Sequence, residues 1–205
     1  MLFRSSTKTI YLYKHKCYNE IMIILFGLAG SGKSTQGQIL AKKHGLVWLS
    51  VGQVLRDTGK FDKILEKGDL VPDEKVVKIM HDQIKEIQKS GRDIILDGFP
   101  RDLWQAKWVA EHLASDITKA VVLDVPKDEL LVRIMARGRE DDTREAVEKR
   151  FDIVEKNLSG ILKELKKQKI KTTKVSGLGT IETVTKRLER ELFTKTNSLR
   201  KQRRH

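Results

Sequence analysis

Five short runs rich in apolar and β-branched residues punctuate this chain, at 21–26, 46–49, 93–96, 120–125 and 171–175. Between them, apolar residues recur every three to four positions over 32–44, 73–89, 103–113, 128–137, 143–169 and 180–192. Runs this short match strands buried on both faces of a parallel sheet, whereas the longer period marks amphipathic helices. Asp73 and Thr180 stand at the starts of two helical stretches as candidate N-caps, with side-chain oxygens suited to accept from the first free backbone N–H groups. Strand and helix signals alternate, so the pattern predicts an α/β fold: a five-stranded parallel sheet in three layers, with helices on both faces. No internal repeat or long low-complexity linker interrupts it, and 205 residues suffice for one sizeable core.

Charge refines the boundaries. The net +13 divides into +3 over residues 1–20, +5 over 195–205 and +5 for everything between. Residues 1–20 read as a basic N-terminal extension, and Met22 stands where the first core strand must start. Residues 21–194 read as a single domain, and 195–205 as a basic, disordered tail without apolar periodicity. The central surplus suits anionic nucleotide substrates, and any nucleic-acid contact is expected only through the tails. No stretch approaches 18 apolar residues and no apolar leader precedes a small-residue cleavage site, so neither membrane nor secretion is expected. Cys17 is the only cysteine, which permits no internal disulfide or cysteine-rich zinc site and suits a reducing cytoplasm.

The chemistry concentrates after the first strand. Gly27-Leu-Ala-Gly30-Ser31-Gly32-Lys33-Ser34-Thr35 fits G-x-x-x-x-G-K-[ST] and lies between a strand and a helix. A glycine-rich turn exposes backbone N–H groups that ring a polyphosphate, and the helix N-terminus adds its dipole. Lys33 reaches the β/γ-phosphates, and the Ser34 hydroxyl suits a Mg²⁺ bridging them. The third strand ends in Asp97-Gly98-Phe99-Pro100-Arg101, where a carboxylate beside the phosphate loop can hold the water shell of that Mg²⁺. Gln105 follows Arg101 by four residues, so on one helix both would face the same way, one gripping a phosphate and the other reading a base edge. The five histidines form no constellation and read as packing or surface residues.

Four segments resemble the adenylate kinases of the nucleoside monophosphate kinase family, in order and near-family spacing: GLAGSGKSTQ at 27–36, SVGQVLR at 50–56, GDLVPDE at 68–74 and DGFPRDLWQ at 97–105. A fifth, Arg133-Ile-Met-Ala-Arg137-Gly-Arg139-Glu-Asp-Asp142 followed by Arg150, is similar to the arginine-rich lid of that family. The resemblance implies a P-loop NTPase-type fold and Mg²⁺-dependent transfer of the ATP γ-phosphoryl group to AMP, giving two ADP, by a cytoplasmic monomer. Gly30, Ser31, Gly32, Lys33, Ser34, Thr35, Arg133 and Arg137 would hold ATP. Arg56, Leu70, Val71, Gly98, Arg101, Gln105, Arg139 and Arg150 would hold AMP, and Lys33, Arg101, Arg139 and Arg150 would act on the phosphoryl group in transit. A monophosphate-binding segment would cover about 50–73 and a short lid about 137–142.

Some positions depart from the family. Gln53 replaces the usual Asp, Val51 replaces a small polar residue or alanine, and only 14 residues separate Arg56 from Val71. The runners-up are a UMP/CMP kinase, whose relatives tend to carry Asn at the position of Gln105, and a nucleic-acid-associated binding protein on the same scaffold. Arginines at four phosphate positions weigh against an inactive scaffold.

Overall fold

The first strand, β1 (Met22–Phe26), is buried at all five positions because both of its faces are covered. Met22, Ile24 and Phe26 enter one apolar cluster, Ile23 and Leu25 a second on the opposite face, as strand alternation requires. Around it stand β2 (Val47–Ser50), β3 (Ile94–Asp97), β4 (Ile117–Asp124) and β5 (Lys171–Ser176), all parallel, in the order β2-β3-β1-β4-β5. In this computed structural model the described residues are 21–138 and 142–193, so the extension 1–20, residues 139–141 of the predicted lid and the tail lie outside them.

On one face, α4 (Asp73–Lys89), α5 (Leu103–His112) and α7 (Arg144–Lys167) supply Val76, Met80, Ile84, Ala106, Val109, Ile161 and Leu165. On the other, α1 (Lys33–His44) and α8 (Ile181–Phe193) contribute Leu40, Ala41, Val184, Leu188 and Leu192. A third cluster joins α6 (Lys127–Arg137) to α7 through Leu130, Ile134, Val147 and Phe151. The expected three-layer α/β architecture is therefore present. Among the described residues no helix is long and apolar enough to cross a membrane.

Local chemistry accounts for the departures from expectation. β4 begins three residues early at Ile117, where the register against β1 shifts around Thr118. The Thr118 hydroxyl donates to the Met22 carbonyl, and Lys119 pairs with Glu191 at 2.8 Å, so polar residues conceal the strand's start. Two short helices, α2 (Val51–Asp57) and α3 (Asp62–Glu66), fill the segment before α4 and are too brief to show a period. Asp73 is not a cap: Pro72 holds the N-cap position and Asp73 opens the first turn. Thr180 does cap α8, its Oγ1 accepting from the Thr183 N–H at 3.2 Å. α5 starts at Leu103, as the periodicity predicts, with Asp102 as its N-cap, so Arg101 lies just outside the helix that carries Gln105.

In this strand order β1 is central and the chain crosses from β3 to β4 on its far side, which opens a crevice at the carboxyl ends of β1 and β3. Leu25 and Asp97 are register partners there.

Candidate active site

The loop leaving β1 turns back on itself before α1. Gly30 sits at φ 77°, and a Cβ there would stand 2.9 Å from Ile134 Cγ1, so the turn requires glycine. Lys33 folds over the loop and donates to the carbonyls of Gly27 (2.7 Å) and Leu28 (2.8 Å). Gln36, buried in α1, donates to the Ile181 carbonyl at 3.0 Å and accepts from Thr185 Oγ1 at 2.7 Å, which fastens the loop's helix to α8. Ser31 is buried, and its hydroxyl has no hydrogen-bond partner among the described residues.

At the end of β3, the buried Asp97 accepts from Ser34 Oγ at 2.7 Å and from Trp48 Nε1 at 3.3 Å through the same oxygen. A hydroxyl and a carboxylate side by side at the phosphate loop form the hard-oxygen donor set that Mg²⁺ takes together with substrate phosphates, so these residues fit the ion. Gln53 donates to Asp57 Oδ1 at 2.6 Å. Among the described residues no group of three or more His, Cys, Asp or Glu gathers into a metal cluster.

Across a cavity of about 660 Å³ from the loop stand three guanidinium groups. Arg56 and Arg101 flank Gly52, where a Cβ would lie 3.3–3.5 Å from their terminal nitrogens. Arg150 donates to the Leu65 carbonyl (2.8 Å) and to Asp142 (3.2 Å). Arg101 itself donates through Nε to the Gly98 carbonyl at 3.0 Å. Burial, joined by the positive neighbours Arg150 and Arg56 and opposed by Asp97, pulls its pKa down to about 10. It still carries its proton at neutral pH. Cations held together against this cost suit a multiply charged oxyanion.

Gln105 lies behind Arg101, 1 % exposed and absent from the cavity wall. Its Oε1 accepts from the Arg101 backbone N–H at 2.9 Å, and its Nε2 donates to Asp73 Oδ1 at 2.7 Å. Asp102 accepts from the Gln105 backbone N–H at 2.9 Å. Its carboxyl is pushed up to about 6 by burial and by its hydrogen bond with Asp73.

The cavity wall thus collects Gly30 to Thr35, Arg56, Leu70, Asp97, Gly98, Arg101, Arg133 and Arg150, while Val71 is buried beside it. Arg133 donates to Glu129 (2.7 Å) and to the Gly177 carbonyl (3.1 Å). The Arg137 side chain and all of Arg139 lie outside the described residues. Sequence reasoning missed the partners of Gln105, namely Asp73 and Asp102, and the Gly177–Gly179 turn that closes the loop side of the cavity. The Gly-Leu-Gly spacing after β5 was a usable signal for that turn.

A phosphate-cradling loop on the central strand, facing a cluster of arginines over one cavity, defines a P-loop phosphotransferase. The adenylate kinase family pattern matches residues 25–170. Similar proteins include adenylate kinases of Bacteroides thetaiotaomicron (34 % identical, covering 78 % of this chain and 92 % of the relative) and Bacteroides fragilis (37 %, with the same coverage). Another, from Micrococcus luteus, is 32 % identical, covering 84 % and 90 %. The chain belongs to the adenylate kinase family.

Proposed function

We propose that this chain catalyses reversible transfer of the ATP γ-phosphoryl group to AMP, giving two ADP, in the cytoplasm and as a monomer. The observation that carries this reading is the placement of two anion sites on one cavity: the phosphate loop on one side and Arg56, Arg101 and Arg150 on the other. The family membership supplies the substrates.

ATP phosphates take the loop N–H groups of Gly30 to Thr35, and the Lys33 ammonium exchanges the Gly27 and Leu28 carbonyls for phosphate oxygens. Arg133 and Arg137 hold the donor nucleotide. Arg56 and Arg101 hold the acceptor phosphate, with the backbone of Leu70, Val71 and Gly98 beside it and Gln105 at the base. Arg139 and Arg150 close over the group in transit. When bound at Ser34 and the water shell on Asp97, Mg²⁺ neutralises phosphate charge. The acceptor oxygen is already ionised, so no residue need act as a base; positioning and charge neutralisation suffice. Gln105 is buried, so a base reaches it only when the residues over it move; in this reading the monophosphate-binding segment covers about 50–73 and the lid about 137–142 of a domain spanning 21–194.

Product analysis tests this reading. ATP and AMP should yield two ADP per ATP consumed, and ADP alone should yield equal ATP and AMP. ATP loss without AMP consumption would overturn it. Any nucleic-acid contact is expected only through the basic tails 1–20 and 195–205. Deleting both should leave AMP kinase activity nearly unchanged and weaken salt-sensitive retention on RNA or DNA.

A further inference from the structure

The carboxamide of Gln105 is held from both ends before any ligand arrives. Its oxygen receives the Arg101 backbone N–H at 2.9 Å, and its nitrogen donates to Asp73 Oδ1 at 2.7 Å. A backbone N–H can only donate, and a carboxylate oxygen that accepts this bond needs a proton from its partner. The two neighbours therefore fix which end of the amide is oxygen and which is nitrogen. Turning the amide over would set N–H against N–H and oxygen against oxygen in a buried place.

A primary amide carries two N–H donors and two oxygen lone pairs. One of each is used by Asp73 and Arg101, which leaves one donor and one acceptor in a fixed order. That order fits a base edge with an amino group beside an unprotonated ring nitrogen, the pattern of adenine. A 6-oxo purine presents the reverse, an acceptor beside a ring N–H, and meets the locked amide with both partners mismatched. Resting on the reading of Gln105 as the contact for the acceptor base, we propose that Asp73 is a specificity-determining positioning residue: by locking the Gln105 amide it makes the site reject 6-oxo purine monophosphates.

Asp73 sits in the first turn of α4, beside the N-terminus of α5. Both helix ends favour negative charge, which keeps an acceptor at this position. Asn in its place retains a carbonyl acceptor for Gln105 and offers an N–H to Asp102, so Asp73→Asn preserves the lock, whereas Asp73→Ala removes it.

The test compares kcat/KM for AMP and for inosine monophosphate, two purines that differ in this edge, in the wild type, Asp73→Ala and Asp73→Asn, with folding checked by circular dichroism. The wild type should prefer AMP, Asp73→Ala should narrow the AMP-to-IMP ratio by about tenfold, and Asp73→Asn should restore it. A purely structural role would lower both acceptors together and leave the ratio unchanged, which would overturn the inference. A wild type inactive on AMP would overturn the functional reading and this inference with it. If Asp73→Ala does not fold, the side-chain amide of Gln105 in the wild type decides the matter by NMR. One strongly downfield, exchange-protected Nε2 proton is expected, and two protons exchanging like those of a free glutamine would overturn the lock.

Discussion

Replacing Lys33 with Ala separates catalysis from folding. In the ligand-free protein its ammonium holds two carbonyls at 2.7 and 2.8 Å. Against a phosphate oxygen at ~3 Å, with an effective dielectric of ~20, one positive charge is worth about 5 kcal/mol. Leaving the two carbonyls costs about 1 kcal/mol each, so roughly 3 kcal/mol remains to stabilise charge in transit. That corresponds to a loss of ~10²-fold in kcat, matching the losses seen when one preorganised donor is removed elsewhere. Stability should change little, because the carbonyls border the cavity and can take water; a loss of ~1 kcal/mol lowers the melting temperature by about 2–4 °C. A coupled assay for ADP formation, run beside a thermal melt, reads both quantities. Turnover above about a tenth of wild type in a folded Lys33→Ala protein would refute the role.

Other perturbations address other parts of the account. Gln105→Leu strands the Arg101 N–H and Asp73 Oδ1, and should cost about 1–3 kcal/mol, or up to ~100-fold in kcat/KM for AMP, while ATP binding barely moves; an equal fall for UMP would contradict the base assignment. Asp102, whose carboxyl titrates near 6 in the folded chain against 3.8 when free, binds its proton more tightly folded than unfolded. Its contribution to stability is complete below about 4 and disappears as pH rises through 6. Asp102→Asn, a neutral side chain that keeps the helix cap, should therefore match wild type in urea midpoint near pH 4 and exceed it increasingly towards pH 6; a constant difference would count against the shift. Gly68 has φ 71°, and a Cβ there would lie 2.6 Å from the Ala146 carbonyl oxygen, so Gly68→Ala should destabilise by about 2–4 kcal/mol in denaturant titration.

Much of the fold was legible because burial on both faces leaves little freedom in sequence. β1 reads as an uninterrupted apolar run, and its neighbours follow. What escaped was governed by tertiary contacts. β4 hides its start behind Thr118 and Lys119, which are satisfied by Met22 and Glu191. α2 and α3 are too short for a period. The phosphate loop was legible because its chemistry is local: the glycines, Lys33 and Ser34 are consecutive. The arginine cluster came from family resemblance, since Arg56, Arg101 and Arg150 are far apart in the chain and meet only around Gly52 and Leu65. Asp73 read as a helix cap because its carboxylate precedes an amphipathic stretch. Its partner Gln105 is 32 residues away, and no local pattern marks that pairing.

The measurement that bears most directly on the central claim is phosphoryl transfer from Mg·ATP to AMP, UMP, CMP and GMP, compared in one coupled assay on the full chain. The account predicts AMP as the preferred acceptor, ADP as the product on both sides and UMP and GMP disfavoured by their reversed base edges. Preference for UMP would contradict the adenine assignment, and failure to phosphorylate any of the four would contradict the account as a whole.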